Sequence, residues 1–372
     1  MDDGGAILVH VALALLALTA FTTFVVDYGV FWASRSQAQS TADAAALAGA
    51  GAFITDHDIT NTGSASESAQ TVAGNNRVWG AVPSATITFP VCGVSTLPAG
   101  IFDPSIYCVR ADIYRDSSHG NSLPIFFGTL VGLVSQDVKA TAQARVGAGN
   151  SSDCLMPWSV PDLYQDVNGD GQYTNPPDHY IAPTSSSPGT GYTVAGAYGT
   201  EVQLKGGAQS MLSPGWRQAT DIGGNGASGY RAAIEGCVNT EYGIGDILPP
   251  KNGNMSGPTL QGVTTVIARD PGASWDATNQ KIIGSCVQAG TCPTYTQSPR
   301  IVSVPVFDTD YFYQTGQIKI VNIFGFFLES GTGQGNDSIV TGILINVPAL
   351  YDSSKGSVGL ASGFAQTIYL YR

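Results

Sequence analysis

The sequence predicts an α+β protein: a long N-terminal helix, a small α+β unit, and a β-rich C-terminal domain. Three observations predict it. One apolar run at the N-terminus continues into an alanine-rich tract without a proline. Short segments after it alternate apolar and polar residues at the period of a half-buried strand. Beyond residue 154, strand-like segments recur between Gly/Asn/Ser/Pro clusters, which mark turns. The implied organisation is 1–53 (a short leader plus transmembrane and extended helix), 54–150 and 151–372.

Ala6 to Val26 is a 21-residue stretch interrupted only by His10, Thr19, Thr22 and Thr23. About 20 apolar residues span a bilayer. A secretory signal peptide would carry a basic segment before a shorter apolar core, and Met1–Gly5 contains no Lys or Arg. The stretch is therefore read as a retained membrane helix. Beyond it, VFWASRSQAQSTADAAALAGAGAF is rich in alanine, the best helix former. One helix over residues 6–50 is predicted, roughly 65 Å long. Arg35, Gln39 and Asp43 fall at i, i+4 and i+8, one polar stripe. Phe31, Ala38, Ala42, Ala45 and Ala46 make a smooth opposite face that must pack on something.

In 54–150, SASESAQTVAGNNRVWG is predicted as a helix, with Ser64 as its cap and Glu67 completing a capping box. Ala85–Val91 and Tyr107–Tyr114 read as a hairpin, and Val138–Val146 as a third strand. Between them, LPIFFGTLVGLV reads as a short buried helix. Gly147–Asp153 reads as a polar linker. In 151–372, strands are predicted at 264–269, 300–307, 318–328, 339–347 and 364–371, with 318–328 and 339–347 forming a long hairpin.

Charged residues are 12% of the chain, against about 25% typically. The net charge is −12, which excludes nucleic-acid binding by counterion release. No Lys/Arg cluster marks a polybasic membrane patch. Residues 1–53 hold only Asp2, Asp3, Asp27, Arg35 and Asp43 as charges, so the acidity resides mainly in the body.

The six cysteines contain no Cys-x-x-Cys pair, which argues against zinc ribbons and redox motifs. Disulfides suit an exported body. Cys92 and Cys108 sit at facing ends of two neighbouring strands, and Cys286 and Cys292 close a short loop. Those pairings leave Cys154 with Cys237.

Asp166-Val-Asn168-Gly-Asp170-Gly171-Gln172 places oxygen ligands at positions 1, 3 and 5, Gly at 6 and a backbone carbonyl at 7. That is the first half of an EF-hand-type calcium loop. Position 12 is Pro177, so Asp178, or Asp162 upstream, would complete the site as a structural Ca²⁺ clip. The competing reading is an Asn-Gly/Asp-Gly turn.

No His-Glu-x-x-His, Gly-x-Ser-x-Gly or P-loop occurs. Gly331-Thr-Gly333-Gln-Gly335 lies in a hairpin turn, which excludes a dinucleotide fingerprint. A non-enzymatic protein is expected.

The segment VVDYGVFWASRSQAQSTADAAALAGA resembles the N-terminus of TadE/TadG-like Flp/Tad pilus-assembly proteins. The residues that carry this are Asp27, Gly29, Arg35, Gln39, Asp43 and Ala44 through Ala50. The resemblance implies a bacterial, pilin-like protein, anchored in the inner membrane or carried on the cell surface, with its body outside the cytoplasm. Its partners would be the membrane and other pilus or Tad-machine subunits, including self-assembly. It gives Asp27, Gly29, Arg35, Gln39 and Asp43 roles in helix packing and assembly. The segments Cys154–Asp162, Asp270–Asp276 and Ser298–Val302 extend the resemblance along the chain. The Asp-x-Ser-x-Ser motif of a von Willebrand A domain is absent, which places the resemblance in a branch without that domain. Pilin-like relatives carry Glu five residues after the cleaved Gly; after Gly5 that residue is His10, and TadG-like members often lack the Glu. The second reading is a membrane-anchored adhesin or binding module, its Tyr and Trp meeting glycan or protein. An envelope hydrolase ranks third.

Overall fold

The computed structural model describes residues 4–56, 59–93, 106–206, 218–222, 226–251, 253, 255–287, 289–292, 297–333 and 338–371. Helix α1 (Gly4–Asp56) is continuous over 53 residues, about 80 Å at 1.5 Å per residue. Its two halves have different surroundings. Between Ile7 and Val26 the large apolar side chains are exposed, Leu8 at 75% and Leu16 at 70%. From Asp27 onward a buried stripe runs through Val30, Ser34, Ala38, Ala42, Ala45, Ala46, Ala50, Phe53 and Ile54. That spacing of three to four is one face of a helix.

Three elements face this stripe. Helix α2 (Ser64–Asn75) crosses it, and β1 (Ser84–Thr88), β2 (Cys108–Arg115) and β3 (Val138–Ala148) follow. Alanines on α1 meet Ala65, Ala69, Val109, Ala111, Ala140, Ala142 and Ala144 in one core. Gly49 sets the closest approach: a Cβ there would lie 2.7 Å from Val109 Cγ1 and 3.0 Å from Ala65 O.

The remaining elements follow in chain order. They are β4 (Ser151–Ser152), β5 (Val160–Pro161), α3 (Val194–Ala197), β6 (Glu201–Lys205), α4 (Gly226–Glu235), β7 (Tyr242–Gly243) and β8 (Ile247–Leu248). Next come α5 (Ser256–Ala268), β9 (Ser274–Asp276), β10 (Lys281–Ile283), β11 (Ile301–Phe307) and α6 (Thr309–Thr315). Last are β12 (Ile318–Thr332), β13 (Ile339–Ile345), β14 (Val347–Pro348) and β15 (Ala365–Tyr371).

Two main sheets result. The first has the order β1-β2-β3-β15-β14 and the second β5-β11-β12-β13-β6, with β8 also on β12. In the second, Trp158, Phe324, Phe326 and Val304 are fully or almost fully buried, and Tyr230, Ile234, Val263 and Val266 of α4 and α5 join their core. The architecture is thus α+β with a β-rich C-terminal region. The C-terminal strand β15 pairs antiparallel with β3 over Gln366–Tyr371, so residues after 345 complete the first sheet.

Four local expectations are corrected. Residues 264–269 are not a strand: α5 covers them up to Ala268, and Thr259, Gly262, Val263 and Val266 are its buried face. LPIFFGTLVGLV is not a buried helix. Only Gly128–Val131 turn, as a 3₁₀ helix, and Phe126, Phe127, Leu133 and Val134 are exposed. Helix α2 stops at Asn75, because Asn76 turns extended (φ −92°, ψ 147°), and Gly63 rather than Ser64 is its N-cap. The polar linker is structured: Asn150 is buried and its Nδ2 donates to Asp352 O and Gly356 O. The other predicted strands and the 318–345 hairpin are present. Parts of the loops between Cys92 and Cys108 and between Gly333 and Ser338 lie outside the described residues.

The three disulfides are Cys92–Cys108, Cys154–Cys237 and Cys286–Cys292, with Cα–Cα distances of 5.9, 4.5 and 5.3 Å.

Candidate functional site

The site with the clearest construction lies where burial of α1 begins. Asp27 is the first charge after the apolar stretch, and its side chain is buried at 6% exposure. Three backbone amides of the 125–134 loop point at it. Phe126 N–H donates to Oδ1 at 2.9 Å, and Phe127 and Gly128 N–H donate to Oδ2 at 3.1 and 2.6 Å. A carboxylate accepts such bonds strongly because it is ionised. Gly128 is required by the close approach: a Cβ there would lie 2.8 Å from Ile125 Cγ2 and 3.2 Å from Asp27 Oδ2. On the helix side, Phe24 stacks on Tyr28 at 5.3 Å, and Tyr28 meets Trp32 edge-on at 6.0 Å. The 125–134 loop and α1 enclose an apolar groove of about 770 Å³, lined by Leu16, Ala20, Phe24, Tyr28 and Leu133 among others.

The other helix residues separate. Gly29 has open space around it. Arg35 is exposed. Gln39 Nε2 donates to Asp43 Oδ1 at 2.8 Å and to Thr141 O at 3.2 Å, joining that part of the stripe to β3. Gln37, which sequence reasoning did not single out, accepts from Trp79 N–H at 2.7 Å.

The acidic loop brings Asp166, Asp170 and Asp178 together, with one oxygen of each within 4.8 Å of the others. Asn168 Nδ2 donates to Asp170 Oδ2, and Gln172 N–H donates to Asp170 Oδ1. Asp166 accepts from Gly169 and Gly171 N–H. Asp178 is buried and accepts from Val167 and Thr174 N–H. The Thr174 N–H bond is the largest influence on it; burial opposes, and the net effect lowers its pKa. Asp162 is not part of this cluster. It accepts from Leu163 N–H, Tyr192 N–H and Tyr180 O–H. Burial pushes its pKa up to about 6 despite those bonds, and the charge of Asp308 adds to the rise.

The segments 270–276 and 298–302 meet in one buried polar cluster. Asp270 accepts from Ser298 Oγ (2.6 Å), Ser285 Oγ (2.8 Å) and Cys286 N–H (2.9 Å). The Arg300 guanidinium donates to Leu328 O at 2.9 and 2.6 Å and to Ala273 O at 2.6 Å, over the Phe327 ring. Burial raises the Asp270 carboxyl, but the Ser298, Cys286 and Ser285 bonds and the Arg300 charge hold it below its ordinary value.

A long helix, apolar and exposed in its first half and built into an α+β body in its second, defines a helix-rooted class of protein. Comparison places that helix: residues 5–52 match the family described as "Putative Flp pilus-assembly TadE/G-like". No curated protein and no solved structure matches the chain.

Proposed function

We propose that this chain is a non-enzymatic structural or assembly component of a Tad-type pilus or secretion machine, minor-pilin-like in build. Residues 6–26 root it in the bacterial inner membrane, and its disulfide-bonded body lies outside the cytoplasm or on the pilus. The observation that supports this best is the change of environment at Asp27, inside the segment that matches the pilus-assembly family. Apolar side chains left bare over one bilayer's length need lipid or partner helices.

The alanine face of α1 packs within the chain itself. It is filled by the chain's own α2, β2 and β3, so Ile7–Val26 is the part of the helix left to meet other subunits. Deleting residues 30–52 would remove the body's core rather than an assembly surface. The acidic loop is proposed as a structural Ca²⁺ clip, with Asp166, Asn168, Asp170 and Asp178 as side-chain ligands and Gln172 through its carbonyl. Its carboxylates are already gathered, and Asp178 supplies the acid missing at position 12.

Deletion of the gene, with pili imaged by electron microscopy and labelled by an antibody to the body, tests the proposal. Loss of pili restored by the intact chain supports it; normal pili without the chain, and no label on them, refute it.

A further inference from the structure

We propose that the Ile125–Val134 loop is a second membrane contact, seated in the interface of the bilayer on the body side and held at that depth by Asp27. The proposal rests on the reading of residues 6–26 as a membrane anchor.

Height is the first argument. Ile7 to Val26 is 20 residues, about 30 Å of helix and so about the thickness of the hydrocarbon core. Its body-side boundary then falls at Asp27, where the loop is tied to the helix through the Phe126, Phe127 and Gly128 amides. Composition is the second. Phe126 is 54% exposed, Leu133 51% and Val134 92%. Leu133 shares the groove between loop and helix with Phe24 and Tyr28, and that groove reaches along α1 to Leu16. Aromatic side chains such as Tyr28 and Trp32 favour this level of a membrane.

Backbone chemistry is the third. Irregular backbone near lipid is tolerated only where its polar groups have partners. Asp27 supplies them for three successive amides, which gives a reason for an acid at this point of an apolar helix. Charge decides the kind of lipid surface. Asp27 and Asp137 are the charged residues lining the groove, so the contact is with the acyl and glycerol region rather than with anionic headgroups.

All six native cysteines are paired, so one added thiol can be labelled alone. The full chain, carrying an environment-sensitive fluorophore at Val134→Cys, would be reconstituted in phosphatidylcholine vesicles. Some of the lipids would carry a nitroxide quencher near the headgroup or near the end of the acyl chain. Leu13→Cys reports the anchor. Ile283→Cys reports the body, because neighbouring Lys281 and Ile282 face α1 residues Ala48 and Gly51, far above Asp27.

The expected result is loss of Val134 fluorescence mainly to the shallow quencher, of Leu13 mainly to the deep one, and of Ile283 to neither. Asp27→Ala should return the Val134 label toward the Ile283 level and leave Leu13 unchanged. An unquenched Val134 beside a quenched Leu13 overturns the proposal and leaves the anchor standing, whether water or a partner helix covers the loop. An unquenched Leu13 overturns both. Val134 quenching that survives Asp27→Ala overturns the tethering role of Asp27.

Discussion

Two glycines on α1, Gly49 and Gly51, are expected to respond in opposite directions to the same substitution. Replacing a glycine inside a helix by alanine gains about 1 kcal/mol from the backbone alone. At Gly51 nothing opposes that gain, since a Cβ there would meet only Ile368 Cδ1 at 3.9 Å. At Gly49 the same Cβ would lie 2.7 Å from Val109 Cγ1, 3.0 Å from Ala65 O and 3.2 Å from Ala69 Cβ. Two of those three neighbours belong to α2, one of them backbone, so relief requires α2 to move. Overpacking of this kind costs about 1–3 kcal/mol. The helix gain is common to both variants, so their difference isolates the contact. Gly51→Ala should be more stable than the native chain by about 1 kcal/mol, and Gly49→Ala less stable than Gly51→Ala by about 2 kcal/mol. Urea unfolding of the full chain in detergent, followed by tryptophan fluorescence, reads both midpoints. Equal upward shifts would refute the reasoning, because α1 would then not rest on α2 and β2, and its small-residue face would be free for other subunits.

Three further outcomes are expected. Asp162 holds its proton in the folded chain up to about pH 6 but loses it near 3.8 when unfolded. The folded state therefore binds more protons in that window, and stability falls as pH rises through it, by about 3 kcal/mol from this group. Asp162→Asn should remove that component, seen by comparing unfolding midpoints at about pH 4 and about pH 7; an unchanged pH slope would contradict it. Arg300→Met strips the buried carbonyls of Leu328 and Ala273 of their donors and leaves Asp270 without its counter-charge. The expected loss is about 3–5 kcal/mol. Calorimetry should also show little rescue by Arg300→Lys, which lacks the planar fork. Calcium should bind the folded chain with measurable heat and raise its melting temperature; no heat, and no effect of chelator on melting, would remove the calcium clip.

The parts of the fold carried by local pattern were legible. The proline-free alanine tract led to α1, alternation led to β2 and β3, and flanking turn residues led to β12. Cys92–Cys108 and Cys286–Cys292 followed from neighbouring positions, and elimination then left Cys154–Cys237. Where the reading failed, packing outweighed local preference. Thr264, Thr265, Val266 and Ile267 are β-branched and suggested a strand, yet they lie in α5. The helical spacing of Thr259, Gly262, Val263 and Val266 was the stronger signal. The apolar run 123–134 reads as core because apolarity usually means burial. Gly132 at φ 85° stops the turn, and Phe126, Phe127, Leu133 and Val134 remain exposed. Asp27 stood out in the sequence, but its partners lie about a hundred residues away, and no local pattern announces them. The return of β15 to β3 is non-local in the same sense. The Asp270–Arg300 cluster was visible only as two motifs, each without its partner.

The central claim is a chain rooted in the membrane by residues 6–26 with its body outside the cytoplasm. Protease treatment of intact spheroplasts, combined with alkaline extraction of their membranes, tests it most directly. The account predicts that the chain resists extraction and that added protease digests its body while a cytoplasmic marker survives. A chain released by alkali, or a body protected until the spheroplasts are lysed, would contradict it.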